Sequence, residues 1–211
     1  MDPAFLITAF VALFVVIDPI GLAPLFVALT AGMSPQKRRA IGIRACAVAI
    51  GILLLFSVFG TSILTFIGIS MPAFRIAGGI LLFLTALDML FERRQKRRED
   101  QADGEDTDDN EPDDDPSVFP LAIPLIAGPG AIATVILLVG QTNDTAGYFA
   151  VMGVLMAVLA LVFVMFLSAS ALERMLGKTG ITVVTRLLGM LLAALSVQFV
   201  LDGLSSFGLG S

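Results

Sequence analysis

Histidine is absent from all 211 residues, and cysteine occurs once, at Cys46. The first absence excludes zinc and haem sites that use histidine, as well as Ser-His and Cys-His catalysis. The single cysteine excludes an intrachain disulfide, and its place in an apolar stretch favours a packing residue over a catalytic thiol. A basic segment before the first apolar stretch is also missing. We therefore expect that stretch to stay in the membrane as a span and not to be a cleaved signal.

Long apolar stretches dominate what is present. Apolar residues make up 57% of the chain and the mean hydropathy is +0.94, which is typical of an integral membrane protein. Six stretches have about 20 residues or more, enough to cross a bilayer core of ~30 Å as helices. The predicted fold class is therefore an all-α integral membrane protein with six transmembrane helices. The six stretches are 4–30, 40–69, 72–91, 118–140, 147–172 and 181–204.

Negative charge is concentrated in one loop, where Glu99–Asp115 holds eleven of the eighteen acidic residues and no basic residue. Such a block predicts a disordered, solvated linker; divalent-ion binding is the sharper alternative, although an EF-hand spacing is missing. Basic residues follow the first, third and fifth spans, so the positive-inside rule places these loops in the cytoplasm and both termini outside. These basic residues are Lys37, Arg38, Arg39, Arg44, Arg93, Arg94, Lys96, Arg97, Arg98, Arg174 and Lys178.

Two spans contain helix-breaking residues near their midpoints. The run from Asp18-Pro19 to Pro24 interrupts the first span, and Gly128-Pro129-Gly130 interrupts the fourth. Proline lacks an amide donor and glycine weakens helices, so each motif leaves backbone polar groups that need protein or water partners in hydrocarbon. Paired interruptions at corresponding positions indicate a transporter binding site built from broken helices.

The two halves of the chain match at a nearly constant offset. A shift of 110 residues places Pro19 on Pro129 and Asp18 on Gly128, and a shift of 111 places Arg75 on Arg186. Three spans per unit force the second unit to be inverted relative to the first, as in many secondary carriers. We predict a 3+3 inverted repeat: residues 1–91 form the first three-helix unit, 92–117 the acidic cytoplasmic loop, and 118–211 the second unit.

Asp18 is the one acidic residue near the predicted mid-membrane plane, where a charge costs roughly 3 kcal/mol. It is interpreted as a site for a coupling proton, a cation or a substrate ammonium group, or as the N-cap of the half-helix after Pro19. The glycines around Pro129 either begin a half-helix whose amides suit a carboxylate, or form an ordinary kink. The predicted pathway residues are Asp18, Pro19, Gly21, Pro24, Gly128, Pro129, Gly130, Thr134, Thr85, Ser196 and Gln198.

A stripe of arginine, small and hydroxyl residues on one face of span three recurs in span six. We expect each stripe to pack against a broken helix and to direct its hydroxyl group, Thr85 or Ser196, towards the centre. The arginines are either snorkelling residues at span ends or gating residues paired with carboxylates such as Asp88 or Asp202. Gln198 either contacts the ligand or makes an interhelical hydrogen bond. The stripes are Arg75-Gly78-Leu82-Thr85 and Arg186-Gly189-Ala193-Ser196.

Several of these runs resemble the MarC family of bacterial and archaeal membrane proteins. The run from Asp18 to Phe26, followed by residues 39–45, resembles the first-span signature, and PLAIPLIAGPGAIAT at 120–134 resembles the fourth. Residues 75–90 and 186–203 are similar to the third and sixth spans. The resemblance covers almost the whole chain except the acidic loop, which is longer and more charged than the family pattern. It implies a six-span inner-membrane protein grouped with LysE-type exporters, some of whose members are neutral amino acid transporters.

The leading hypothesis is a secondary carrier of a small zwitterionic solute, such as a neutral amino acid, that works by alternating access. The expected partners are the lipid bilayer, this solute and a coupling proton or sodium ion; no nucleic acid and no cofactor are expected. One alternative is an intramembrane enzyme, against which the sequence has no His, no GxGD motif with a second buried Asp and no HExxH motif. Another is a non-transporting protein. A carrier of a different small solute also stays open, as do the direction of transport and the oligomeric state.

Overall fold

The structure is a computed structural model that describes residues 3–91, 115–142 and 144–206, without the side chains of Glu173 and Lys178. Over these ranges the structure is helical and contains no strand. The predicted disorder of the acidic loop falls on residues that lie almost wholly outside the described ranges. The all-α fold class is confirmed.

Seven helices and one irregular segment follow one another along the described chain. Helices α5 and α6 are separated by a short connection, whereas α6 and α7 are parts of one helical stretch, Thr145–Ser205, interrupted only at Gly177 (φ 62°, ψ 173°). The elements are α1 (Pro3–Ile17), α2 (Pro19–Leu29), α3 (Pro35–Ile67), α4 (Met71–Leu90), the irregular segment (Ser117–Ile126), α5 (Pro129–Gly140), α6 (Thr145–Leu172) and α7 (Thr179–Ser205).

By length and composition, five helical stretches in the described ranges can cross a membrane, or six if a bent pair counts as one span. Helices α1 and α2 together form the first, Pro3–Leu29. The bent pair consists of the irregular segment and α5, which meet at 54°. Counting this pair gives the six predicted spans. Helix α3 has 33 residues and is therefore about 50 Å long, so its basic first turns extend beyond a hydrocarbon core of about 30 Å.

The spans alternate in direction between two ends of the bundle. At one end, called here the basic end, Arg38 of α3 donates hydrogen bonds to Ser170 of α6. At the opposite end Met71 of α4 lies against Gly140 of α5, since a Cβ on Gly140 would lie 2.6 Å from the Met71 Cε. Each span therefore carries the chain from one end to the other.

Burial shows that the two broken spans form the centre of the bundle. Half of the most apolar window of the first span is buried, against 28% for α3, α4 and α7, and α5 is buried along most of its length. The outer helices expose large apolar side chains such as Leu55, Phe59, Ile80 and Leu187. A soluble protein would not expose so many, whereas lipid covers such a surface at little cost.

Candidate functional site

Asp18 separates α1 from α2 through its own backbone. Its amide donates to the Phe14 carbonyl (2.9 Å), as in a continuing helix, and its carbonyl accepts from Leu22 (3.0 Å). Its φ of 55° and ψ of 65° are left-handed, a conformation in which Asp is tolerated better than most non-glycine residues. The side chain is fully buried. The predicted break in the first span is therefore present, and a single residue makes it.

The Asp18 carboxylate caps the half-helix that follows it. Its Oδ1 accepts a hydrogen bond from the Gly21 amide at 3.0 Å, and Pro19 is the first helical residue, where its missing donor costs nothing. Gly21 makes this arrangement possible, because a Cβ there would lie 2.1 Å from Asp18 Oδ2 and 2.7 Å from Cγ. The N-cap reading is confirmed, and Gly21 acts by leaving room for the carboxylate.

Pro24 adds a second acceptor near this break. It lies inside α2 and has no amide hydrogen, so it cannot donate to the carbonyl of Ile20, four residues earlier. The carbonyl lies within one turn of Asp18. The first break thus gathers oxygen acceptors.

The second break has the opposite chemistry. Gly128 precedes α5 with no side-chain cap, and Pro129 again begins the helix. The amides of the first turn of α5 are therefore not satisfied by a capping side chain, and they point out of the positive end of the helix dipole. Gly128 itself is required by space, since a Cβ would lie 2.4 Å from the Pro124 carbonyl oxygen. The second break thus gathers donors.

Gly130 brings the two breaks and α4 together. A Cβ on Gly130 would lie 3.2 Å from Val16 Cγ1, 3.5 Å from Leu82 Cδ2 and 3.8 Å from Thr85 Oγ1. Val16 is two residues before Asp18, so the end of α1 and the start of α5 are in contact. Thr85 lies beside this junction, as the stripe on span three predicts.

The hydroxyl groups of the predicted site donate to their own helices. Thr134, fully buried, donates to the Gly130 carbonyl at 2.8 Å, and Thr85 donates to the Leu81 carbonyl at 3.0 Å. Both oxygens keep lone pairs, so they can accept a hydrogen bond from a ligand but do not offer a proton in this arrangement.

The side chains of Ser196 and Gln198 make hydrogen bonds within α7. Ser196 donates to the Ala193 carbonyl (2.7 Å) and its backbone oxygen packs against Gly79 of α4. Gln198 is exposed and donates to Asp202 at 2.6 Å. Gly189 likewise packs against α4, at Met89, and not against a broken helix as expected. The α7 stripe differs from prediction because the small residues of α4 and α7 let these two helices approach each other.

The two arginines of the stripes differ in their surroundings. Arg75 is half-buried and its Nε makes no hydrogen bond, and no carboxylate of the described residues forms an ion pair with it. Arg186 is exposed. An ion pair of Arg75 with Asp88 or Asp202, one form of the gating interpretation, is thus not formed in this arrangement, in which Asp202 accepts from Gln198.

Two polar contacts between α3 and α6 were missed by sequence reasoning. Arg38 reaches Ser170 near the basic end, and Ser57 hydrogen-bonds Tyr148 at 3.0 Å nearer the opposite end. From the sequence, Arg38 is interpreted only as one of the basic residues that set the topology. The signal that could have found Tyr148 is its position: it is the only tyrosine of the chain, and it stands 110 residues after Arg38.

An ion pair joins the end of the acidic loop to α3. Asp115 contacts Arg44 and accepts from the Ser117 amide at 3.1 Å. Burial alone would raise the pKa of Asp115, but the hydrogen bonds from Ser117 and Arg44 outweigh it and lower the pKa below its usual value. The described residues contain no group of three or more Cys, Asp or Glu side chains arranged to hold a metal ion.

These features define a polytopic α-helical membrane protein with two interrupted spans whose breaks meet in the core. A model of the MarC family of integral membrane proteins matches residues 4–207. The chain belongs to the MarC family.

Curated relatives of similar length support this assignment. The chain is 35% identical over 207 residues to the UPF0056 membrane protein MJ1677 of Methanocaldococcus jannaschii, covering 97% of this chain and 98% of the relative. It is 38% identical over 201 residues to the UPF0056 membrane protein YvbG of Bacillus subtilis (95% and 94% covered). It is 34% identical over 199 residues to the UPF0056 inner membrane protein YhgN of Escherichia coli (94% and 95% covered). No solved structure matches the chain.

Proposed function

We propose that this protein is a secondary transporter of a small zwitterionic solute, a neutral amino acid, and not an enzyme. The observation that carries the proposal is the contact between two breaks of opposite chemistry, through Gly130 and Val16. One break offers oxygen acceptors and a carboxylate, and the other offers helix-start amides. A free amino acid carries one ammonium and one carboxylate group, which match these two ends.

The ammonium end belongs at the first break. Asp18 is buried and uses Oδ1 to cap α2. The Ile20 carbonyl, to which Pro24 cannot donate a hydrogen bond, lies nearby. A cation there would compensate the charge of Asp18, whose burial in a membrane is otherwise costly. A coupling proton or a sodium ion could use the same oxygens.

The carboxylate end belongs at the start of α5. Helix N-termini bind anions through amides and dipole together, and α5 has no capping side chain of its own to compete. Gly130 lets a ligand approach the backbone closely, while its neighbours Leu82 and Thr85 leave little room. This geometry favours a small side chain on the solute.

An inverted repeat would give this site its alternating access. Pro19 and Pro129 both begin half-helices after breaks 110 residues apart, which supports the predicted equivalence. Helices α4 and α7 are antiparallel, since Gly203 faces Pro72 at one end and Gly189 faces Met89 at the other. This is the pairing expected of the third span of each unit in a 3+3 inverted repeat.

The basic end faces the cytoplasm in this proposal, with the acidic loop, and both termini lie outside, according to the positive-inside rule. The protein resides in the cell membrane, which is the inner membrane in a bacterium that has two membranes. Accessibility of an epitope inserted in the acidic loop tests this orientation. Labelling from the outer face of intact cells would overturn it.

Transport by purified protein in liposomes tests the function. We expect uptake of labelled glycine, alanine or serine, dependent on a proton or sodium gradient, and its loss in Asp18→Asn. Asparagine is as good an N-cap as aspartate, so the substitution removes the charge and keeps the helix start. Asp144→Asn is the matched control, because Asp144 caps α6 in the same way (Gly147 amide, 2.8 Å) but is exposed. Full activity in Asp18→Asn would refute the role of the charge, and no flux of any amino acid would refute the substrate class.

A further inference from the structure

Two stacked rings hold α2 against α6 between Asp18 and the basic end. The centroids of Phe26 and Phe166 are 4.3 Å apart and their planes differ by 6°, and both rings are buried. Phe26 follows Asp18 by two turns of α2, about 12 Å along the axis. The stack therefore blocks the path between the candidate site and the basic end.

Arg38 of α3 contacts both helices that carry this stack. Its guanidinium carbon is 5.7 Å from the centroid of the Phe26 ring, within the range of a cation-π interaction. Its two terminal nitrogens both lie 3.5 Å from Ser170 Oγ of α6. Among the described side chains no carboxylate is paired with Arg38. One side chain thus ties α2, α3 and α6 together.

The opposite end has a counterpart at the offset of 110 residues. Phe26 corresponds to Ile136 of α5, whose Cγ1 would lie 2.5 Å from a Cβ on Gly60 of α3. Arg38 corresponds to Tyr148 of α6, whose hydroxyl is 3.0 Å from Ser57 Oγ. Ser57 lies one turn before Gly60, and Gly60 is itself the counterpart of Ser170. Half-helix α5 is thus seated on α3 beside a polar contact, as α2 is seated on α6.

We propose that these two sets of contacts are the gates of the transporter. The basic-end gate consists of Phe26, Phe166, Arg38 and Ser170, and the opposite gate consists of Ile136, Gly60, Tyr148 and Ser57. The proposal rests on the transport function proposed above. Both gates are closed here, in agreement with the complete burial of Asp18.

The half-helices explain how such gates would work. Helices α2 and α5 begin at the two breaks, so a swing of α2 away from α6 exposes Asp18 towards the basic end while α5 stays seated. A swing of α5 away from α3 exposes the site towards the opposite end. The long helices α3 and α6 need not move, because each gate joins one half-helix to this pair.

Sided labelling of a cysteine near the site tests the gates without a substrate. The native cysteine is first removed (Cys46→Ala), and Ala131→Cys places a thiol in the first turn of α5, where the native residue is 2% exposed. A membrane-impermeant maleimide is then added to vesicles of either orientation. Arg38→Ala should raise the labelling rate from the basic side about fivefold, the effect of losing about 1 kcal/mol of closure. Ile136→Ala, which removes the α5 side chain seated on Gly60 of α3, should raise it from the opposite side only.

Arg39→Ala is the matched control for the basic-end gate. Arg39 carries the same charge next to Arg38 in the chain but is exposed and has no contact with the stack among the described residues. It should leave labelling unchanged on both sides. Phe166→Leu, which removes the ring stack and keeps an apolar side chain, reports on the same gate if Arg38→Ala does not fold.

The outcomes distinguish a failure of the gate assignment from a failure of the proposed substrate. Equal labelling of Arg38→Ala and Arg39→Ala, or equal rises from both sides, overturns the gate assignment even if amino acids are transported. Sided labelling in a protein that moves no amino acid supports the gates and refutes the proposed substrate. The fold of each variant is checked by gel filtration before labelling.

Discussion

Replacement of Gly21 by alanine should destabilise the protein, although the same change stabilises an ordinary helix. In a helix interior Gly→Ala is worth about +0.5 to +1 kcal/mol. At Gly21 the new Cβ would fall 2.1 Å from Asp18 Oδ2, so the carboxylate must move and its 3.0 Å bond to the Gly21 amide is lost. A hydrogen bond to a charged group contributes about 1.5–3 kcal/mol. The loss therefore outweighs the gain in helix propensity.

Gly51→Ala is the matched control. Gly51 lies in α3, is exposed, and a Cβ there meets nothing within 4 Å. The two alanine variants should differ by about 2 kcal/mol, which corresponds to about 4–8 °C in melting temperature for a chain of this size.

The single cysteine supplies the assay. Cys46 is 7% exposed in the folded protein, so a dye that fluoresces on reaction with thiols reports unfolding in detergent without any added label. Gly21→Ala should also lose transport, because Asp18 is displaced. A Gly21→Ala protein that melts at or above Gly51→Ala and transports normally would refute the placement of the carboxylate.

Two further predictions concern other contacts. Gly79→Ala should lower the melting temperature relative to Gly153→Ala, because a Cβ on Gly79 would lie 2.8 Å from the Ser196 backbone oxygen while one on Gly153 meets nothing; equal melting would contradict close packing of α4 and α7. The Asp115 contact with Arg44 should stabilise the protein at neutral pH and stop doing so as the pH falls through the lowered pKa of Asp115. The melting difference between wild type and Arg44→Gln should therefore be small at neutral pH, since the pair is partly exposed, and vanish once the pH is below the lowered pKa of Asp115. A difference that persists in strong acid would exclude this ion pair as its cause.

The helix breaks could be predicted from the sequence because their cause is covalent. Proline at 19 and 129 has no amide hydrogen, whatever surrounds it, so a helix must begin there or bend. The spans follow in the same way from hydropathy and length. The family could be inferred as well, because the residues around these breaks carry its signature.

Other features depend on tertiary contacts that the local sequence does not encode. The left-handed backbone of Asp18 and the space kept by Gly21 are visible only when the carboxylate is in place. The segment before α5 was expected as helix, but Phe119 and Ile123 are extended and each precedes a cis-proline. Gly189 was expected to pack on a broken helix, and it packs on α4 instead. Propensity and spacing do not determine which neighbour a helix face meets.

Under the proposed function, the difference between Asp18 and Gly128 sets which ion the site would suit. Two inverted half-helices with free N-termini would present donors from both sides and would favour an anion. Asp18 caps one of these ends and converts it into an acceptor, so the pair suits a zwitterion. Asp18→Gly copies the second break into the first and, since glycine tolerates a positive φ, keeps the backbone. In a competition binding assay, we expect glycine to compete less well, and small monocarboxylates to compete better, for binding to this variant. Unchanged preference would show that the amides of α2 do not reach the ligand.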